Sequence, residues 1–128
     1  MAKTPAQLWT LIVSILFVFA VGASLLFDTL KNGVSLETGH KLSHILVGIV
    51  GLLIFRNASK ARSFVLFNVA VYGAVAATGY LSALTYGAFA GTAFIGPSIL
   101  NIDAFNLVDT VLHSIVVISG LIAAFWKR

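Results

Sequence analysis

Residues 39–55 read GHKLSHILVGIVGLLIF, and two of the chain's three histidines stand here, one helical turn apart, at the head of an apolar run. A half-buried strand would alternate polar and apolar residues, and this run does not. A helix places Glu37, His40, Lys41 and His44 on one face, at spacings of three and four. The run approaches the roughly 20 apolar residues that a membrane span requires. Three further stretches have the same character. They are 7–27 (QLWTLIVSILFVFAVGASLLF), 64–86 (FVLFNVAVYGAVAATGYLSALTY) and 105–126 (FNLVDTVLHSIVVISGLIAAFW). Backbone facing lipid must bond within its own segment, so runs this long read as helices. The expected fold is all-α: an integral membrane four-helix bundle forming a single transmembrane domain over residues 1–128.

Composition points the same way. Hydrophobic residues make up 59% of the chain and charged residues 9%, where a soluble domain carries about a quarter charged. With no cysteine, disulfides, thiolate metal sites and cysteine nucleophiles are excluded. The net charge of +4 is scattered in ones and twos, which fits membrane topology and not nucleic acid. The first apolar run follows Lys3 and contains AVGAS at 20–24, as a cleaved leader would. Its length of about twenty residues reads instead as a retained span.

The linkers differ in kind. Residues 28–38 (DTLKNGVSLET) read as a polar turn, and 56–63 (RNASKARS) as a short basic loop. Residues 87–104, mostly apolar with Gly87, Gly91, Gly96 and Pro97, read as a segment lying on or dipping into the interface. With the N-terminus inside, Lys3, Arg56, Lys60, Arg62, Lys127 and Arg128 are inside, against Lys31 and Lys41 outside. All four acids, Asp28, Glu37, Asp103 and Asp109, then fall outside. The expected location is a bacterial cytoplasmic membrane, multi-pass, with both termini cytoplasmic. The sequon at 57–59 is then not glycosylated, and Trp9 and Trp126 read as anchors at the inner boundary.

The second and fourth spans align at an offset of 69: His44 falls on His113, Gly51 on Gly120, Leu52 on Leu121, His40 on Asp109 and Glu37 on Asn106. The chain therefore reads as two helical hairpins in parallel repeat, related by an axis along the membrane normal. His44 precedes Arg56 by 12 residues and His113 precedes Trp126 by 13. At about 1.5 Å per residue both lie roughly 18–20 Å from the inner boundary, in a core about 30 Å thick.

Ionisable groups inside a membrane segment face the bundle interior and pair with one another. The expected cluster is Glu37, His40, His44, Asn106, Asp109 and His113, and its role is open between several readings. One is a hydrogen-bond network that fixes helix register. A second is a metal site, with His40, His44, Asp109 and His113 as nitrogen and oxygen ligands suited to Zn, Fe, Mn or Ni. A third is a haem or chlorophyll site with His44 and His113 as axial ligands, and Gly48, Gly51 and Gly120 as a flat wall. The same glycines serve equally for close helix packing. A proton or pH-sensing role is a fourth. Catalysis is not indicated: there is no nucleophile elbow, no H-E-x-x-H and no glycine-rich phosphate loop.

HKLSHILVGIVGL at 40–52 and NLVDTVLH at 106–113 carry a resemblance. They are similar to the motifs H-N-x-x-H-L-x-x-G-x-x-G and N-x-D-x-x-L-H of a family of small bacterial four-helix membrane proteins classed as a domain of unknown function. His40, His44, Gly48, Gly51, Asp109, Leu112 and His113 match; Lys41 and the spacing of Asn106 depart. The resemblance implies the four-helix fold and the cluster, and no activity.

The expectation is a small, non-enzymatic membrane protein whose outer-side cluster binds a metal ion or tetrapyrrole. The alternative is an accessory or structural subunit of a larger membrane complex, with the cluster serving only as a hydrogen-bond network. Partners are the bilayer and either other subunits or further copies of the chain.

Overall fold

A computed structural model of the protein describes residues 3–87 and 105–126. Four helices account for nearly all of these: α1 (Pro5–Asn32), α2 (Leu36–Ile54), α3 (Ala58–Tyr86) and α4 (Leu107–Phe125). No strand occurs among the described residues. The re-entry expected within 87–104 concerns a segment that, from residue 88, lies outside the described residues.

Each helix begins where the sequence supplies a cap. Thr4 Oγ1 accepts from Gln7 N at 3.3 Å while Gln7 Oε1 accepts from Thr4 N at 2.9 Å, and Pro5 occupies the first turn, where its missing N–H costs nothing. Thr38 Oγ1 accepts from Ser35 N at 2.9 Å at the head of α2. Asn57 Oδ1 takes Lys60 N at 3.0 Å at the head of α3, and Asn106 Oδ1 takes Asp109 N at 2.8 Å at the head of α4. α1 stops at Gly33 and α3 at Gly87, both at positive φ (75° and 72°).

These caps correct two expected linkers. Asp28–Asn32 continues α1, leaving only Gly33 to Ser35 between α1 and α2. The basic stretch 56–63 is mostly the first turns of α3, because Asn57 starts a helix there. Charged residues placed on helix ends look like loops to a hydropathy reading.

Three of the four helices, α1, α3 and α4, are long and apolar enough to cross a membrane, which marks the chain as a membrane protein. α2 is not in that set, because Glu37, His40, Lys41 and His44 occupy its first turns. Leu, Ile and Phe side chains dominate the exposed surface, Phe19, Phe27 and Leu30 among them. Inside, Ala6, Ala61, Ala76, Thr10, Ser14, Asn68 and Thr110 lie beside a few large rings such as Trp9 and Phe64. This is the distribution expected when the surrounding medium is lipid, which gives no hydrophobic drive between helices and leaves close packing to small residues.

The described chain divides into two compact units. The first runs to Leu66 and includes the end of α4 from Gly120. In it α1 buries Ala6, Trp9, Thr10, Val13, Ser14 and Phe17, one face at helical spacing. Trp9 is therefore a core residue and not the interface anchor expected of it, whereas Trp126 is exposed. A Cβ on Gly48 would come within 2.9 Å of Phe17 Cβ and of the Ser14 carbonyl oxygen; one on Gly51 would collide with the Ser14 hydroxyl. Gly48 and Gly51 are thus the notch that lets α1 lie against α2. Thr10 Oγ1 donates to Ala61 O at 3.4 Å, and Gln7 Nε2 to Arg56 O at 2.7 Å. Near the far end of α1, Asp28 pairs with Lys41.

The second unit runs from Phe67 to Ser119. α3 and α4 approach each other there at Gly79, where a Cβ would run into Thr110 Oγ1. Tyr80 and Ser114 share a hydroxyl hydrogen bond at 3.1 Å, and Ser114 Oγ donates to Thr110 O at 2.8 Å.

Candidate metal centre

α1 contains a single π-helical turn, Leu16–Ala20, at the level where Phe17 meets α2. Such turns insert a residue into an α-helix and recur at functional sites. The Phe17 ring stands edge-on to the His44 imidazole, with centroids 4.9 Å apart and planes at 65°. His40 packs on His44 in the same manner, at 4.7 Å and 80°. His44 is buried and His40 half-buried.

His44 Nδ1 lies 3.1 Å from the His40 carbonyl oxygen. A carbonyl can only accept, so Nδ1 carries the proton and the lone pair of the neutral ring sits on Nε2. Ser43 Oγ donates to the same carbonyl at 2.6 Å, so both residues following the turn bond back to His40. Glu37 Oε2 stands 3.5 Å from His40 Nδ1. A carboxylate behind one nitrogen and a backbone carbonyl behind another are the supports that orient metal-ligating imidazoles.

In the second unit, His113 is 4% exposed and stacks on the Tyr72 ring, with centroids 5.1 Å apart and planes at 21°. The stack and the helix backbone together define where the imidazole points.

His40, His44 and His113 form a group that could hold a metal ion, each offering one ring nitrogen. Asp109, expected as a fourth ligand, is not in that group. Asn106, expected in the cluster, caps α4 with its side-chain oxygen. Glu37 lies beside His40 as a supporting group. Gly48 and Gly51, expected as a flat wall for a macrocycle, face Ser14 and Phe17 of α1. The sequence pattern gave no sign that Phe17 is an aromatic neighbour of these rings, and little that Tyr72 is. Tyr72 carries a weak signal: it is a hydroxyl-bearing ring among the small residues of AVYGAVAATG, at 70–79 in a membrane helix.

In comparison with known proteins, no family model, no curated protein and no solved structure matches the chain.

Proposed function

We propose that the protein is a membrane-embedded binding module for a transition-metal ion, with His40, His44 and His113 as its ligands. The observation that carries this reading is that all three histidines of the chain fall in one group that could hold a metal ion. Three imidazoles without thiolate or dominant carboxylate suit Zn, Cu, Ni or Fe(II). When bound, such an ion supplies Lewis acidity at whatever coordination position the protein leaves open. The protein's own contribution is orientation: the His40 carbonyl fixes the His44 tautomer, and Glu37 stands behind His40.

An ion is preferred to a tetrapyrrole because α1 lies against Gly48 and Gly51, two of the three glycines of the wall expected for a macrocycle. The motif resemblance to the small four-helix membrane family, the two parallel hairpins, the crossing of α2 as a fourth span, the cytoplasmic termini and the bacterial cytoplasmic membrane belong to the same reading. They are supported by the offset-69 alignment and the placement of Lys and Arg.

A second reading keeps the histidines as a structural network in a subunit of a larger membrane complex. It is favoured by the ring packing of His44 on Phe17 and of His113 on Tyr72, which holds both imidazoles without an ion. Elemental analysis and a visible spectrum of detergent-purified protein separate the two. The proposal expects near-stoichiometric metal, lost in His44→Ala and in His113→Ala while helicity persists. Metal-free wild type that still binds no added Zn, Cu, Ni or Fe leaves the structural network standing alone.

A further inference from the structure

A second site lies within the first unit, away from the histidines. A cavity of about 680 Å³ opens where the N-terminal turns of α1 and α3 meet the last turn of α4. Its volume falls within the roughly 300–1,000 Å³ of small-molecule sites. Its lining is divided in character. Thr4, Ser59, Arg62 and Ser63 present hydroxyls and a guanidinium, whereas Leu66, Phe125 and Trp126 present apolar surface.

Arg62 is held in place. Its Nε donates to the Ala124 carbonyl at 3.1 Å, and its guanidinium carbon sits 5.6 Å from the centre of the Phe125 ring. With Nε engaged, the two terminal amino groups of the fork remain to donate in parallel, the geometry that grips a phosphate. Arg56 and Lys60 stand near it in sequence and Lys3 just precedes α1, whereas Asp28 and Glu37 belong to the opposite ends of α1 and α2. A rim of positive charge alone follows from membrane topology. A preset guanidinium beside a cavity that is polar on one side and apolar on the other does not.

We propose that this cavity binds the phosphate-bearing headgroup of an anionic lipid. The phosphate meets Arg62 with the Ser59 and Ser63 hydroxyls, and the start of the acyl region lies along Leu66, Phe125 and Trp126. A free phosphate shares the first half of this chemistry and none of the second. Basic pockets on the cytoplasmic side of membrane helices recognise lipid headgroups by these same groups.

The test is native mass spectrometry and lipid titration of the full chain in detergent, using phosphatidylglycerol, phosphatidylcholine and inorganic phosphate as probes. Phosphatidylglycerol is expected to be retained with about tenfold or greater preference over phosphatidylcholine. Inorganic phosphate at equal concentration is expected not to displace it. Arg62→Gln abolishes the preference, Arg62→Lys keeps part of it, and Lys60→Gln, outside the cavity, leaves it intact. Ser63→Trp fills the cavity with Arg62 untouched and also abolishes it, which covers the case in which the Arg62→Gln protein does not fold. Equal retention of the two lipids overturns the proposal, as does a loss in Lys60→Gln equal to that in Arg62→Gln. Displacement by inorganic phosphate reassigns the cavity to a free anion and overturns the lipid assignment.

Discussion

The Nδ1 atom of His44 donates to the backbone carbonyl of His40, 3.1 Å away and one helical turn earlier. The first histidine thus sets the tautomer of the second through its main chain, while its own ring packs against it. A metal held by such rings competes with protons for the imidazole lone pairs, so binding is strong at high pH and weakens as pH falls. Zinc retained after dialysis should be near-stoichiometric at pH 7.5 and lost progressively down to about pH 5, near and below the ordinary histidine range. Retention that is flat across this range would exclude the histidines as ligands.

Glu37 stands behind His40, with Oε2 3.5 Å from Nδ1. Removing a supporting carboxylate of this kind costs about 10–100-fold in metal affinity. Glu37→Gln should therefore weaken zinc binding by about that factor in competition with a chelating dye, with the thermal unfolding of the metal-free protein unchanged. A fall in metal-free stability with unaltered affinity would give Glu37 a purely structural role.

Gly51 faces the Ser14 hydroxyl, and a Cβ there would also come within 2.9 Å of the Phe64 ring. Gly51→Ala should cost about 1–3 kcal/mol, the range for overpacking a filled site. Gly22 borders open space, with no atom within 4 Å of the point a Cβ would occupy, so Gly22→Ala should be neutral or stabilising by up to about 1 kcal/mol. Denaturant or thermal unfolding in a fixed detergent compares the pair, and equal effects would remove the notch from the account of how α1 and α2 pack.

In the second unit, Gly79 meets Thr110, whose Cγ2 would stand 3.0 Å from an added Cβ. Gly79→Ala should destabilise by about 1–3 kcal/mol, and Thr110→Ala in the same chain should recover part of that loss. Additive effects in this double-mutant cycle would mean that the two positions do not share a contact.

Much of the fold was legible because lipid imposes a length. The cores of the expected spans 7–27, 39–55, 64–86 and 105–126 lie inside α1 to α4. Helix ends were less legible, since Asp28–Asn32 and the basic turns after Asn57 are polar and still helical. Capping side chains decide those ends, and a hydropathy reading is blind to them. The histidines were legible because they are rare. The division of labour around them was not: Asn106 reads as a member of the polar cluster and serves as a cap, and Trp9 reads as an anchor and sits in the core. Tyr72 and Phe17 meet their histidines only through the fold.

The π-helical turn at Leu16–Ala20 divides α1 into two stretches of different allegiance. Every buried side chain of α1 lies at or before Phe17, and the stretch Val21–Asn32 has none. One surplus residue amounts to about 100° of rotation about the helix axis. Deleting a single residue within this turn would therefore swing the distal half of α1 around its own axis while leaving the packed half in place, and Asp28 would swing away from Lys41. The aim of that distal half is carried by one countable residue, so the chain holds a built-in unit of torsion that a one-codon deletion would release.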